Sequence, residues 1–187
     1  MIYPIVLFGS PVLRQKAQVI SPETHPNLQE LVASMYETMY HCDGVGLAAP
    51  QIGLSIRLFV IDTGSASDEE NREIPLKKAF VNAEILVEEG KESIFKEGCL
   101  SIPNIREDVM RKPTIRIRYQ DENWQTHEET FTGFIARVIQ HEYDHIEGLL
   151  FTDRISSFRR TLLKTKLMQI SQGKVRASYR TAILQSK

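Results

Sequence analysis

The chain has 187 residues, 42% of them hydrophobic, and a net charge of −1, which suits one globular domain with a sizeable core. The opening MIYPIVLFGSPVLRQK is broken by Pro4, Gly9 and Pro11, no apolar run is long enough to cross a bilayer, and only Cys42 and Cys99 occur. The expectation is therefore a soluble cytoplasmic protein without secretory leader, membrane span or disulfide framework.

Residues 27–42 carry Leu28, Leu31, Val32, Met35 and Met39 at helical spacing, with Asn27 and Glu30 in a capping-box pattern. They predict an amphipathic helix. DGVGLAAPQIG stops it, because three glycines and a proline do not continue a helix cheaply. IRLFVID at 56–62 reads as a buried strand, and TGSASDEENREIP at 63–75 as an exposed loop. Strands are predicted at KAFVNAEILVEEG (78–90) and at TIRIRYQ (114–120), where Ile115, Ile117 and Tyr119 alternate with Arg116 and Arg118. THEETFT (126–132) is the expected hairpin partner across DENW. Thr132 is expected to cap a helix running to Glu147 and ended by Gly148, and a basic helix follows over 157–172.

These elements make an α+β fold: short antiparallel strands packed around a central HExxH-bearing helix, with an additional C-terminal helix. Residues 1–153 are the expected catalytic domain and 154–187 a basic helical extension of it. All 24 acidic residues lie at or before Asp153 with 14 basic ones, whereas 154–187 hold nine Lys and Arg and no acid. Such a run is commonly a solvated basic helix; it also suits a polyanionic partner.

QHEYDHIEG at 140–148 contains the sequence HExxH. On a helix, His141 and His145 lie about 40° apart and can bind one ion, while Glu142 sits about 100° round. Phe134 and Val138 fall on the same arc one and two turns earlier, so this face points inward. Buried histidines and a glutamate need partners, and a metal is one. HExxH also arises on ordinary surface helices. Two imidazoles leave a catalytic site one protein ligand short. Downstream, residues 146–187 contain no histidine and only Glu147 and Asp153 as acids, both too near the helix to fold back. Upstream, EGCLSIP carries Cys99, whose thiolate is a strong ligand for zinc or ferrous iron. Taken alone, Cys99 and Cys42 are small buried hydrophobes.

Three segments occur in order: GVGLAAPQ at 44–51, EGCLS at 97–101 and QHEYDH at 140–145. In this the chain resembles the bacterial peptide deformylases, which carry GxGxAAxQ, EGCLS and QHExDH segments. The loop near 63–76 and the basic tail lie outside these motifs. The resemblance implies one divalent metal held by Cys99, His141 and His145, with Fe2+ favoured in the cell and Zn2+ or Ni2+ also accepted. It implies Glu142 as general acid/base, with Gln51 and the backbone N–H of Leu100 on the oxygen of a reacting formyl group. A metal at such a site lowers the pKa of water towards neutrality. The substrates would be formyl-Met nascent peptides, the products formate and a free N-terminal methionine. Work on nascent chains would suit a ribosome contact for the basic tail; no DNA or membrane partner is expected.

By the same resemblance, Gly44, Val45, Gly46 and Gly98 line the substrate groove; Gly44 and Gly46 would let a peptide backbone approach closely, the alternative being a plain turn. Val45, Phe134 and Val138 are candidates for an apolar methionine pocket, the alternative being plain core. Arg137 falls where an apolar residue is expected, its stem along the wall and its guanidinium reaching solvent. Glu97 and Asp144 are candidates to orient ligands, and Arg106 and Arg111 to meet substrate or pair with those acids. Three rival readings are an HExxH endopeptidase that dispenses with Cys99, a structural metal site closed by Cys42 or His41, and an RNA or ribosome adaptor built on the tail. The last leaves GVGLAAPQ and Gln51 unexplained.

Overall fold

The computed structural model of the chain describes residues 1–66 and 75–185. Its strands are β1 (Ile5–Val6), β2 (Gly46–Ala48), β3 (Leu58–Asp62), β4 (Lys77–Glu89), β5 (Ser93–Cys99), β6 (Ile102–Arg111), β7 (Thr114–Gln120), β8 (Thr126–Thr132) and β9 (Thr181–Ala182). Its helices are α1 (Leu28–His41), α2 (Gly133–Ile146), α3 (Phe151–Arg154) and α4 (Ser157–Ser171). The class is α+β, with mostly antiparallel strands and several helices.

Why the run LFVI is continuous rather than alternating follows from its place in the sheet. Strands β2, β3, β4, β7 and β8 form an antiparallel sheet in that order. Leu58 and Val60 face one core with Leu28, Val32, Met35 and Met39 of α1. Phe59 and Ile61 face the other, with Ala136, Ile139 and Ile146 of α2. A strand covered on both faces is apolar at every position. Farther along, Ile115, Ile117 and Tyr119 of β7 are buried while Arg116 and Arg118 are exposed, the alternation of a half-covered strand. Phe80 stacks on Phe59 at 4.7 Å between ring centres and lies 4.4 Å from Tyr119, which ties β3, β4 and β7 together.

The hairpin β7–β8 is in the expected register, with Thr114 opposite Thr132 and Gln120 opposite Thr126. Two expected caps are not made. Asn27 precedes α1 at φ −102° and ψ 35° and its side chain caps nothing, so the Asn27–Glu30 capping box is absent. Thr132 has extended backbone at the start of α2, but its hydroxyl makes no cap either. Gly148 does end that region, at φ +76°, where an added Cβ would meet the Arg14 carbonyl oxygen at 2.8 Å. Thr63–Ala66 is a short 3-10 turn, and the rest of the expected loop, residues 67–74, lies outside the described residues.

One unit was not expected. Strands β5 and β6 pair with each other outside the main sheet, as a two-stranded ribbon. Ile102, Ile105 and Val109 of β6 share a third core with Leu150, Phe151 and Ile155, and with Leu163, Leu167 and Ile170 of α4. Beside it, β1 pairs in parallel with β9.

Candidate active site

His141 and His145 stand one helical turn apart on α2, their ring centres 5.2 Å apart. Cys99 comes from the inner end of β5, where the register shifts between Gly98 and Cys99 and the chain turns into β6. Its Sγ lies 3.3 Å from His145 Nε2. One ligand atom from each of Cys99, His141 and His145 falls within 4.8 Å of the others. His141 presents its other nitrogen, Nδ1, to Glu97 Oε2 at 2.9 Å. That contact leaves Nε2 as the nitrogen that could hold a metal, the arrangement that orients such an imidazole.

Behind the histidines runs a chain of buried ion pairs. Arg111 forks onto Glu97 at 2.7 and 2.9 Å and reaches Asp144 Oδ2 at 2.8 Å. Arg154 holds the same Asp144 from α3, with its Nε 2.6 Å from Oδ2. Burial alone would raise the Glu97 pKa, yet Arg111 and His141 hold it down at about 2. His141 is opposed in the same way: burial disfavours its charge, but Cys99 and Glu97 raise its pKa well above the usual value. Burial and the neighbouring His141 charge drive His145 the other way.

Glu142 is 4% exposed, and its Oε2 has no hydrogen-bond partner among the described residues. Burial pushes its pKa up to about 7 against the pull of His141. Gln51 sits on a 3-10 turn, Ala49–Ile52, just after β2. Its Oε1 accepts from the Ala48 N–H at 2.8 Å, which turns its Nε2 towards Cys99 Sγ at 3.4 Å and Ser101 Oγ at 3.5 Å. Leu100 occupies the turn between β5 and β6, its carbonyl accepting from the Tyr179 hydroxyl at 2.8 Å.

A cavity of about 420 Å³ opens onto these groups. Gly44, Val45, Gly46, Gln51, Gly98, Cys99, Leu100, Phe134, Val138, His141 and Glu142 all line it, and His145 joins through Cys99. Phe95, Ile102 and Ile105 line it too and escaped the sequence reading, because their ribbon was not expected. Gly46 has a reason for being glycine in the protein itself: an added Cβ would lie 2.4 Å from Glu142 Oε1. The guanidinium of Arg137 does not reach solvent. The residue is 6% exposed, and its Nη2 donates to the Ser93 carbonyl at 2.8 Å. Arg106 lines the cavity beside Gly98.

The downstream acids stay away. Glu147 pairs with Lys16 and Arg57, and Asp153 with Arg14. Cys42 is buried in the α1 core and His41 is exposed, and neither joins the Cys99, His141 and His145 group. The site therefore combines three converging side chains that could hold a metal, a buried carboxylate and the Gln51 amide around one cavity.

Residues 2–161 match the family model described as Polypeptide deformylase. A peptide deformylase of Flavobacterium johnsoniae is 54% identical over 194 residues, covering 100% of this chain and 98% of that protein. One from Christiangramia forsetii is 51% identical over 187 residues, covering 96% of this chain and 95% of its own. The crystal structure of peptide deformylase from Thermotoga maritima superposes with a TM-score of 0.74 at 43% identity, covering 83% of this chain and 99% of that one.

Proposed function

The chain belongs to the polypeptide deformylase family, and from that premise we propose how its own residues divide the work. The reaction is metal-dependent hydrolysis of the N-terminal formyl group of formyl-methionyl polypeptides, with release of formate. A thiolate and two imidazoles converging within 4.8 Å fit a divalent transition metal, so Cys99, His141 and His145 are assigned as the residues that would hold it. When bound, such an ion supplies Lewis acidity, lowering the pKa of water and polarising a carbonyl.

Glu142 is assigned as the general base and acid. A carboxyl whose pKa burial pushes up to about 7 both accepts and donates a proton near neutrality. It takes the proton of the attacking water, and as the C–N bond breaks it hands that proton to the leaving amine nitrogen. The Gln51 amide and the Leu100 N–H are assigned to the developing formyl oxyanion, Gln51 being held in orientation by the Ala48 N–H. Val45, Phe134 and Val138 would receive the methionine side chain, and Gly44, Gly46 and Gly98 the peptide backbone. The observation that carries this reading is a buried Glu142 carboxylate with a partnerless oxygen, on a residue that lines the same cavity as Cys99 and His141. Formate release from a formyl-Met peptide, measured for the wild type and for Glu142→Ala, tests it. Equal rates would sink the role of Glu142.

Ferrous iron is proposed as the metal in the cell, with zinc or nickel accepted by the same donors; metal content after anaerobic purification checks this. Helix α2 is proposed as the centre of the fold, since it carries the HExxH residues and packs on the sheet. Residues 1–153 are proposed as the catalytic domain and 154–187 as its extension, supported by Leu163, Leu167 and Ile170 entering the core beneath β6. A cytoplasmic location is proposed; among the described residues no helix is long and apolar enough to cross a membrane. A ribosome contact through the tail is proposed on charge, narrowed by the pairing of Arg154 with Asp144 and of Arg159 with Glu107.

A further inference from the structure

A charged residue on the wall of an apolar pocket needs a reason, and Arg137 has one. Its guanidinium leaves α2 and crosses to the ribbon, where Nη2 donates to the Ser93 carbonyl at 2.8 Å and lies 3.1 Å from Ser93 Oγ. Nη1 donates to the Val109 carbonyl at 3.3 Å and lies 3.8 Å from Glu97 Oε1. The same guanidinium sits 5.9 Å from the centre of the Phe95 ring, and Phe134 of α2 lies 5.7 Å from that ring.

Ser93, Phe95 and Glu97 share one face of β5, because side chains alternate along a strand. The inner part of that face is held at Glu97 by His141 and Arg111. At the outer part, Arg137 links β5 to α2. Among the described residues strand β5 pairs only with β6, and no further strand there supports this edge. Phe95 remains 39% exposed while lining the cavity. A wall made by one aromatic ring on an unsupported strand takes its position from whatever holds that strand.

We propose that Arg137 is a positioning residue for substrate selection: it pins the outer half of β5 to α2, so that Phe95 closes the pocket opposite Phe134 around the first side chain of the substrate. This rests on the deformylase reading. The guanidinium stays out of the chemistry; it fixes the width of the slot that separates methionine from smaller and bulkier first residues.

The experiment compares kcat and KM for formyl-Met-Ala-Ser and formyl-Ala-Ala-Ser in the metal-loaded wild type, Arg137→Gln, Arg137→Lys, Phe95→Ala and the Arg137→Gln/Phe95→Ala double variant. Arg137→Gln should raise KM for the methionyl peptide about tenfold while kcat changes less than about threefold, and should narrow the preference over the alanyl peptide. Arg137→Lys, which keeps one cationic donor without the fork, should fall between Arg137→Gln and the wild type. In the Phe95→Ala background, Arg137→Gln should change KM less than about twofold, because the wall it positions is gone. Multiplying effects in the double variant, or a fall in kcat with KM and selectivity unchanged, overturns the proposal. If Arg137→Gln does not fold, Arg137→Lys carries the same comparison. A wild type that releases no formate overturns the deformylase reading instead.

Discussion

Replacing Gly46 by alanine should disable Glu142 without touching it in the sequence. The added Cβ would stand 2.4 Å from Glu142 Oε1, 2.7 Å from Cγ and 2.8 Å from Cδ. Relief to ordinary van der Waals contact asks the carboxylate to move by about 1 Å, a misplacement that costs about 100-fold in rate, or about 2.7 kcal/mol of barrier. The backbone gives no independent reason for failure, because Gly46 is not among the positive-φ glycines and pairs normally, from β2, with Ile61 of β3. Overpacking should cost about 1–3 kcal/mol of stability, readable in a thermal melt. The assay is steady-state formate release from a formyl-Met peptide, with bound metal measured in the same samples. Metal content should hold, since Glu142 is not one of the three donors. The Gly46→Ala/Glu142→Ala double variant should be no slower than Glu142→Ala alone, because one group is lost either way. A Gly46→Ala enzyme within about threefold of wild-type kcat would refute the reasoning.

Three further outcomes are expected. Arg111→Ala removes the guanidinium from buried Glu97 and leaves buried Asp144 with Arg154 alone, and should destabilise the protein by about 3–5 kcal/mol in urea titrations; a loss below about 1 kcal/mol would contradict the reading of that cluster. Iodoacetamide should label Cys99 faster once a chelator strips the metal, since Cys99 lines the cavity, whereas Cys42, 5% exposed and with its thiol pushed up to about 11 by burial and then by Asp43, should resist until the chain unfolds; equal Cys99 labelling with and without chelator would remove Cys99 from the donor set. For the tail, Arg160, Lys164 and Lys174 changed together to glutamine should weaken ribosome co-sedimentation at low salt and spare short-peptide activity, with unchanged binding retiring the contact. Deleting residues 158–187 is not the right perturbation, because it also removes Leu163, Leu167 and Ile170 from the core.

What the sequence made legible were the features whose polarity matched their environment. Strand β7 alternates because one side of the sheet there is wet, β3 does not because neither side is, and α1 and α2 carry their apolar stripes plainly. The ribbon was hidden for the opposite reason. In IPNIREDVMR the buried positions include Glu107 and Arg111 while Met110 is exposed, so a true alternation of burial reads as noise in hydrophobicity. On β5, Ser93 to Lys96 are all exposed, which erases the pattern further. The same blindness affected Arg137, read as a snorkelling side chain because its partners, the Ser93 and Val109 carbonyls, are backbone atoms of an unrecognised ribbon. Motif residues were found because their chemistry is rare in sequence. Phe95 was missed because an aromatic residue beside a lysine is not.

The ribbon also accounts for the proposal of Cys99, rather than a residue after α2, as the third donor. Phe95, Glu97 and Cys99 all come from its one strand β5 and line the cavity, so the cavity wall, the partner of His141 and the Cys99 sulfur are brought to α2 together. Glu97 would be a costly charge to bury if it were unpaired. Arg111 neutralises it, Asp144 shares Arg111, and Arg154 returns the balance at the half-exposed end of the chain. Charges alternate along the whole path, so His141 meets a carboxylate whose position is fixed from behind. That fixes which imidazole nitrogen turns to Glu97 and which turns to Cys99. An HExxH helix with a ligand from downstream would lack this link between donor and pocket wall. Here Glu147 and Asp153 are already committed to Lys16, Arg57 and Arg14, which is why the proposed third donor is sought on β5, where Cys99 lies within 4.8 Å of both histidines.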